Sequence, residues 1–138
     1  MSEMSKTAEL RIVSPDGVFF EGRMKAVIVP GVDGLIEFLP HHEEVILKIK
    51  IGKLTYKTPD DEWHTVAIGS GAAQFANNRC MIYADTAERP EDIDRKRALE
   101  ALERAKERIR QKKSFEEYRL SQMALARALN RLKITDQD

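Results

Sequence analysis

The chain contains a single cysteine, Cys80, among 138 residues. An intramolecular disulfide is therefore excluded, and a reducing compartment is the expected setting. Cys80 lies in the apolar run Cys80-Met81-Ile82 and has no neighbouring base to activate it. These features predict a buried structural thiol, because a reactive cysteine needs a group that stabilises its thiolate.

Long apolar runs and catalytic signatures are also missing. No segment approaches the roughly 18 consecutive apolar residues of a transmembrane helix, and the N-terminus shows no signal-peptide core. A soluble protein is expected, although it can dock on a membrane complex. The sequence also lacks a phosphate loop ending in Gly-Lys-Ser or Gly-Lys-Thr, a His-Glu-x-x-His helix and a Gly-x-Ser-x-Gly elbow. Catalysis by this chain alone is therefore not expected.

The histidines do not form a convincing metal-binding pattern. His41 and His42 precede two glutamates, but a metal site needs a further ligand at a defined spacing, and His64 lies on a different predicted strand. A polar turn is the preferred interpretation, and no metal is predicted.

The charge is balanced overall but unevenly distributed. The chain has 23 basic and 23 acidic residues. Residues 1–88 contain 9 Lys and Arg against 13 Asp and Glu, whereas residues 89–138 contain 14 against 10. The C-terminal part is therefore a candidate for anionic partners. A dedicated nucleic-acid binder is disfavoured, because such domains are usually basic with interleaved aromatic residues.

The composition changes near Pro90, which predicts two domains, residues 1–88 and 89–138. Short runs rich in Val, Ile and Phe precede this point, separated by turn sequences such as Ser14-Pro15-Asp16-Gly17 and Asn77-Asn78. They predict a flattened β-sandwich or barrel. Ala, Leu, Glu, Arg and Lys dominate after it. The predicted fold class is α+β, with an N-terminal β-sandwich followed by an antiparallel two-helix hairpin.

Two helices are predicted between residues 91 and 133. Pro90-Glu91-Asp92 is a favourable helix start, because proline suits the first turn and acidic side chains suit the positive end of the helix dipole. Ser114 followed by Glu117 is a capping box that starts the second helix after a very short connection. So short a connection requires the helices to be antiparallel.

The hairpin predicts a cluster of arginines near its open end. If the connection is centred near residues 112–113, Asp94 faces Arg131 and Arg97 faces Arg127, and Arg104 shares a helix face with Arg97. Four guanidinium groups that converge would repel one another unless a multivalent anion such as a triphosphate bound them. The same spacing is compatible with a solvated charged face that contains a salt bridge, and the spacing alone leaves both interpretations open.

Several motifs resemble the epsilon subunits of bacterial F-type ATP synthases. The start of the helical domain, Ile93-Asp94-x-x-Arg97-Ala98, fits the signature of that family, and residues 124–133 are similar to its closing helix. In the β domain, Ser14-Pro15-Asp16-Gly17, Pro30-Gly31-x-x-Gly34 and Leu39-Pro40 followed by His42 match its turns in order. The resemblance spans about residues 8–133. One departure is Glu37-Phe38-Leu39-Pro40-His41-His42, where the family commonly has Gly-Ile-Leu-Pro-Gly-His.

The resemblance implies a non-catalytic central-stalk subunit at the cytoplasmic face of the bacterial plasma membrane. Its sandwich would dock on the gamma subunit and the c-ring, and its hairpin would fold down or extend toward the alpha and beta subunits to block ATP hydrolysis. The interface candidates are two turns, Gly31, Val32, Asp33 and Gly34 in the first and Pro40 and His42 in the second. The alternative is a stand-alone nucleotide- or nucleic-acid-binding scaffold that uses the basic hairpin.

In some bacterial members ATP binds the folded hairpin, and the resemblance assigns its contacts residue by residue. Ile93 and Ala98 would line the adenine, and Asp94 would accept a hydrogen bond from its amino group. The phosphates would be held by Arg97, Arg127 and Arg131. Further candidates for the site are Glu88 and Arg104. No cofactor is required, and ATP is expected as a regulatory ligand.

Overall fold

The computed structural model describes residues 6–111 and 114–135. Its internal contacts divide the chain into two compact units, Met1–Glu88 and Arg89–Asp138. The division falls where the composition changes from β-forming to helix-forming residues.

The first unit is built of strands joined by short turns. Ten strands are present in its described residues: β1 (Ala8–Ser14), β2 (Gly17–Met24), β3 (Ala26–Gly31), β4 (Gly34–Phe38), β5 (Val45–Ile49), β6 (Gly52–Lys57), β7 (Trp63–Ile68), β8 (Gly71–Ala76), β9 (Arg79–Ala84) and β10 (Ala87–Glu88). At the β8–β9 turn, Asn77 and Asn78 have φ angles of 52° and 55°. Asparagine tolerates this left-handed conformation, which is why it serves in tight hairpin turns.

The strands form two layers that continue into each other at one corner. One layer has the order β4-β3-β6-β7-β10 and the other β5-β8-β9-β1-β2, and the β3–β5 pair at Gly31 and Ile49 links them. Neighbouring strands are antiparallel except β1 and β9, which are parallel. This is the flattened sandwich that the sequence predicted.

The core lies between the two layers. Alternate residues of each strand point inward, as the strand period of two requires. Leu10 and Ile82 come from one layer and Val27 and Leu54 from the other, and all four are essentially inaccessible to solvent. Phe38 of β4 stacks on Phe75 of β8 with ring centroids 5.7 Å apart, which joins the layers by direct aromatic contact.

The strand boundaries differ from the predicted runs at one point. The sequence run Met24-Lys25-Ala26-Val27-Ile28-Val29 predicts one strand, but Met24 is the last residue of β2, and β3 begins at Ala26. The chain turns at Lys25, whose backbone N–H donates to the Lys57 carbonyl at 2.8 Å. The sequence has no turn signal such as Gly, Pro or Asn at this break. Met24 before it and Val27 after it are both buried, so the apolar pattern continues across it.

The second unit contains two helices, α1 (Arg95–Gln111) and α2 (Phe115–Thr135). The prediction that the first helix opens at Pro90 is wrong, because Pro90–Asp92 forms a separate 3-10 turn and Ile93 is extended. The predicted second start is correct, since Ser114 Oγ accepts a hydrogen bond from the Glu117 N–H at 3.0 Å. The predicted centre of the connection, residues 112–113, lies outside the described residues.

The helices pack antiparallel. Arg95, the first residue of α1, donates a hydrogen bond from Nη1 to Oγ1 of Thr135, the last residue of α2, at 3.2 Å. Between them Ala98 and Leu102 pack with Ala128 and Leu132 in a small apolar core. The predicted fold class is therefore confirmed. No helix formed by residues 6–111 or 114–135 is long and apolar enough to cross a membrane.

Candidate functional site

Asp94 directly precedes α1 and caps its N-terminus. Its carboxylate Oδ1 accepts a hydrogen bond from the backbone N–H of Arg97 at 3.1 Å, and its carbonyl accepts one from Ala98 at 2.9 Å. This is the geometry of an N-cap, in which a side-chain oxygen satisfies one of the first unpaired helical N–H groups. The aspartate of the Ile93-Asp94-x-x-Arg97-Ala98 motif thus has a structural role that the sequence reasoning missed, although its spacing to Arg97 is a sufficient signal.

The other motif residues occupy distinct environments. Ala98 is buried in the apolar core of the hairpin, whereas Arg97 beside it is exposed and Ile93 is half-buried. The small side chain of Ala98 allows α2 to approach closely. In this structure Ala98 therefore contributes to the packing of the hairpin itself, and Arg97 faces solvent.

The predicted arginines lie on one side of the hairpin, and we call Arg97, Arg104, Arg127 and Arg131 the arginine flank. At about 100° per residue, Arg97 and Arg104 project roughly a quarter turn or more from the buried stripe of α1. Arg127 and Arg131 project in the same rotational sense from the buried stripe of α2. Because the two helices are antiparallel, equal rotational offsets place all four residues on the same side.

The residues of α2 that lie opposite Asp94 and Arg97 differ from the predicted ones by about one helical turn along the hairpin. Arg97 was expected opposite Arg127, and Asp94 opposite Arg131. The Arg95–Thr135 hydrogen bond and the shared core around Ala98 and Leu132 bring Arg97 close to the level of Arg131 instead. The convergence of cations is retained, since Arg127 lies one turn further along the same flank.

Most of the arginine flank has no acidic partner. Elsewhere on the helices, basic residues pair with a glutamate three positions earlier, as Arg110 does with Glu107 at 3.1 Å and Arg119 with Glu116 at 2.8 Å. Within the described residues, Arg97, Arg104 and Arg127 have no carboxylate oxygen within 4 Å of their side-chain nitrogens. Arg131 is half-buried and makes contacts of its own. Three guanidinium groups therefore remain available to an external anion.

A groove of about 480 Å³ lies on the hairpin toward the connection between the helices. Its lining combines cations with apolar side chains: Arg108, Gln111, Glu117, Leu120, Ser121, Met123, Ala124 and Arg127. Arg108 was not predicted, although it lies four residues after Arg104 and so shares its helix face. Of the predicted nucleotide-contacting residues the groove includes Arg127.

Glu88 belongs to the first unit. It forms the end of strand β10 and pairs there with Ala67. It also makes a further contact within the chain.

The first predicted interface turn is the tip of the β3–β4 hairpin. Gly31 pairs with Gly34, and Val32 and Asp33 form the exposed two-residue loop between them. Gly34 has a φ of 134°, a conformation that other residues rarely adopt, which explains glycine at this position. Leu35 follows with 72% of its surface exposed.

The second predicted interface turn follows β4. The His42 N–H donates to the Leu39 carbonyl at 3.2 Å, and His41 adopts a φ of 67° where the family commonly has glycine. The His41 N–H also donates to Oδ1 of Asn78 at 2.7 Å, which anchors the turn to the β8–β9 connection. The His42 ring packs edge-on against Phe38 with centroids 4.9 Å apart.

The two turns lie at opposite ends of β4. With about 3.3 Å per strand residue they are separated by roughly 20 Å. In the described part of the chain, β4 pairs with β3 alone, so it is an edge strand. A single partner would have to follow the length of this strand to contact both turns.

The fold and the candidate site together define a class of protein. A β-sandwich with two exposed turns is followed by a helical hairpin that carries the arginine flank. Within the described residues, no group of three or more His, Cys, Asp or Glu side chains could hold a metal ion. The molecule therefore belongs to the class of two-domain α+β proteins in which a β-sandwich is followed by a helical hairpin.

The comparisons identify the family. The model of the "ATP synthase, Delta/Epsilon chain, beta-sandwich domain" matches residues 7–90, and that of the "ATP synthase, Delta/Epsilon chain, long alpha-helix domain" matches residues 91–136. The chain therefore belongs to the ATP synthase delta/epsilon chain family. The ATP synthase epsilon chain of Caldicellulosiruptor bescii is 40% identical over 130 residues, covering 94% of each chain. That of Desulforamulus reducens is 35% identical, covering 96% of this chain and all of the relative.

These relatives confirm the resemblance deduced from the motifs and the prediction of a non-catalytic, epsilon-type subunit. Two solved structures support the fold. A chain in the cryo-EM structure of the Euglena gracilis mitochondrial ATP synthase has a TM-score of 0.77 at 20% identity, covering 88% of this chain and 76% of that chain. A chain in the Tetrahymena thermophila central stalk and c-ring structure has a TM-score of 0.62 at 10% identity, covering 92% and 95%.

Proposed function

We propose that the chain works in the central stalk of a bacterial F-type ATP synthase as a coupling and regulatory subunit. The β-sandwich docks on the gamma subunit and the c-ring, and the hairpin restrains ATP hydrolysis by contacting the alpha and beta subunits. Solved structures with this fold come from a complex described as containing F1 and the c-ring and from one described as central stalk and c-ring. The chain is then peripheral, at the cytoplasmic face of the plasma membrane.

ATP is the ligand that the arginine flank fits best. Arg97, Arg104 and Arg127 lack carboxylate partners among the described residues, and this observation supports the proposal most strongly. Guanidinium groups on one side of a hairpin match the phosphate oxygens of a nucleotide, since Arg forms paired hydrogen bonds to phosphate. Neutralisation by the triphosphate also relieves the repulsion among the arginines.

ATP binding can regulate the hairpin only if ATP binds the folded hairpin more tightly than the extended one. ATP that is held by arginines from both helices stabilises the folded hairpin by a free energy of RT ln(1 + [ATP]/Kd). A Kd near the cellular ATP concentration makes this term vary with supply, whereas much tighter binding keeps the hairpin closed at all times. Low ATP would then release the hairpin toward the alpha and beta subunits.

Calorimetric titration of the purified chain with ATP and with ADP tests this proposal. ATP is expected to bind with one site and more tightly than ADP, because it brings one more phosphate to the cations. Arg97→Ala and Arg127→Ala are each expected to weaken binding at least tenfold. Arg110→Ala is the matched control, since Arg110 already pairs with Glu107 and its loss should leave the affinity unchanged.

The control also separates specific binding from general attraction. Equal weakening by Arg97→Ala and Arg110→Ala would mean that ATP responds only to the overall positive charge of the hairpin. Absence of heat up to millimolar ATP would remove the nucleotide from the proposal and leave a coupling subunit whose arginines contact protein partners.

Inhibition is tested with a bacterial F1 complex from which the epsilon subunit has been removed. Addition of the chain should lower ATP hydrolysis several-fold at low ATP. Arg127→Glu should relieve the inhibition, because a glutamate would be repelled by acidic segments of the alpha and beta subunits. Unchanged hydrolysis after stoichiometric binding would contradict the inhibitory role but not the coupling role.

A stand-alone nucleic-acid module has only the excess positive charge of the C-terminal residues in its favour. It predicts steeply salt-dependent binding to DNA or RNA. Electrophoretic mobility shifts at two salt concentrations distinguish it, since the stalk subunit should give no shift at physiological salt.

A further inference from the structure

The groove near the connection of the helices lies on the same side of the hairpin as the arginine flank. Arg108 follows Arg104 by four residues and Arg97 by eleven, so the three project within about 40° of one another around α1. Arg127 lines the same groove from α2. The row of cations therefore continues from the start of α1 into the groove without changing face.

Arg108 has the same electrostatic setting as the flank. Within the described residues, its guanidinium has no carboxylate oxygen within 4 Å. Two carboxylates lie beside the row, Glu100 four residues before Arg104 and Glu117 in the lining of the groove. Neither forms an ion pair with an arginine in the part of the chain that the structure describes. An added anion is therefore needed to neutralise Arg108.

The row of cations is longer than the phosphate chain of ATP. Arg97 and Arg108 are separated by about 16 Å along the axis of α1. Counted from the Arg95–Thr135 hydrogen bond, Arg127 lies about five residues, or roughly 7 Å, nearer the open end than Arg108 does. A triphosphate that begins beside Arg97 ends near the level of Arg127. Arg108 thus remains for a chain of more than three phosphates.

The groove beyond Arg127 has apolar walls. Leu120, Met123 and Ala124 line it, and Leu120 is 51% exposed. Its volume of about 480 Å³ lies within the range of roughly 300–1,000 Å³ that small-molecule sites occupy. Thioether and guanidinium groups both pack favourably on flat rings, and Gln111 adds an amide that donates and accepts hydrogen bonds. Walls of this kind match a nucleobase better than further phosphates.

We propose that this groove is a second base subsite and that the hairpin binds dinucleoside polyphosphates, in which two nucleosides are joined by a phosphate chain longer than that of ATP. The first nucleoside and its phosphates occupy the arginine flank as ATP does, so the inference rests on the proposed function. The added phosphates lie against Arg108, and the second base lies on Leu120 and Met123. Such a ligand contacts both helices over more of their length than ATP and stabilises the folded hairpin further.

Calorimetric titration of the full chain with diadenosine pentaphosphate and with ATP tests the inference. The dinucleotide is expected to bind at least about tenfold more tightly, which is the scale of one additional charge-assisted hydrogen bond. Arg108→Ala and Leu120→Asp should each remove most of this difference and leave the affinity for ATP within about twofold of the wild type.

Adenosine pentaphosphate separates the phosphate chain from the second base, because it has the longer chain but only one base. Its binding should be weakened by Arg108→Ala and left within about twofold by Leu120→Asp. An equal effect of Leu120→Asp on adenosine pentaphosphate and on the dinucleotide would overturn the placement of the second base.

Two further variants check that the effects are local. Leu129 is 48% exposed and follows Leu120 by nine residues, about two and a half turns, so it lies on the opposite side of α2. Leu129→Asp should leave the affinity for the dinucleotide within about twofold. Glu117→Gln removes a carboxylate from the groove and retains the capping box, so it should strengthen binding of the dinucleotide. Circular dichroism melting identifies any variant that fails to fold.

The outcomes separate this inference from the proposed function. Normal ATP binding without any gain for the dinucleotide would overturn the second subsite and retain ATP as the regulatory ligand. Equal weakening of ATP binding by Leu120→Asp would also overturn it, since the groove would then belong to the ATP site itself. Absence of binding by both ligands to the folded wild-type chain would remove the nucleotide from the proposed function, and the second subsite with it.

Discussion

The guanidinium of Arg95 donates a hydrogen bond to the hydroxyl of Thr135 at 3.2 Å and so joins the two ends of the helical hairpin. The same hydroxyl donates to the Leu132 carbonyl at 2.9 Å, three residues earlier in α2. A single threonine side chain thus contacts its own helix and the start of the other.

Thr135→Val should loosen the open end of the hairpin. Valine keeps the shape of threonine but removes both hydrogen bonds, which are worth about 0.5–1.5 kcal/mol each. We expect faster amide hydrogen exchange at the C-terminal end of α2 and unchanged exchange in the sandwich strands. Thr135→Ser is the control, because it retains the hydroxyl. Uniform acceleration throughout the chain would contradict a local effect.

Substitutions of Asp94 separate its capping role from a role in ATP binding. Asp94→Ala removes the N-cap and should destabilise the hairpin by about 1 kcal/mol. Asp94→Asn retains a capping oxygen and should unfold nearly as the wild type does, since Asn and Asp cap equally well. Thermal unfolding followed at 222 nm measures both variants.

ATP titration of the same pair completes the comparison. If Asp94 also accepts a hydrogen bond from the adenine amino group, Asp94→Asn weakens ATP binding while the helix remains capped. Equal ATP affinity in Asp94→Asn and the wild type would leave Asp94 with its structural role alone.

Gly71→Ala is expected to unfold the sandwich. An added Cβ at Gly71, the first residue of β8, would overlap the Tyr83 carbonyl on the neighbouring strand. Backbone atoms cannot move aside without breaking the β8–β9 pairing, so a loss of about 3 kcal/mol or more in the free energy of unfolding is expected. Urea denaturation measures it. Ser70→Ala next to it is the control and should remain within about 0.5 kcal/mol of the wild type.

Cys80 should not react with thiol reagents in the native protein. Burial raises the pKa of its thiol from an ordinary value of 9.0 to about 12, because the thiolate cannot be solvated there. Iodoacetamide at pH 8 should modify the chain only after denaturation. Rapid modification of the native chain, followed by mass spectrometry, would contradict the burial.

The same raised pKa gives a dependence of stability on pH. The unfolded thiol ionises near pH 9 and the folded thiol only near pH 12, so ionisation favours the unfolded chain between these values. The contribution of Cys80 is therefore complete below pH 9 and lost as the pH rises toward 12. Cys80→Ala should flatten this part of the stability profile relative to the wild type.

The β-strands and turns could be predicted largely from the sequence because their signals are local. Alternating apolar residues mark each strand, and Asn77-Asn78 mark a turn that needs left-handed conformations. The parallel pairing of β1 with β9 has no local signal, since it joins residues about 70 positions apart. The break at Lys25 also depends on which strands pair.

The candidate site was only partly predictable. Helical spacing is sufficient to place Arg97 with Arg104, and Arg127 with Arg131, on common faces. The level at which the two helices meet depends on how Ala98 and Leu102 fit against Ala128 and Leu132, which is a property of packing. The groove beside Arg108 arises from this packing and therefore escaped prediction.

The sequence by itself determined the two-unit α+β organisation, the start of α2 at Ser114 and the family, because capping, periodicity and turn chemistry act over a few residues. Only the tertiary structure decided that the predicted interface turns lie at opposite ends of β4 and that Tyr83, Ile46 and Arg79 share one outer face. These relationships follow from strand register, and register is fixed by the burial of one face of every strand at once.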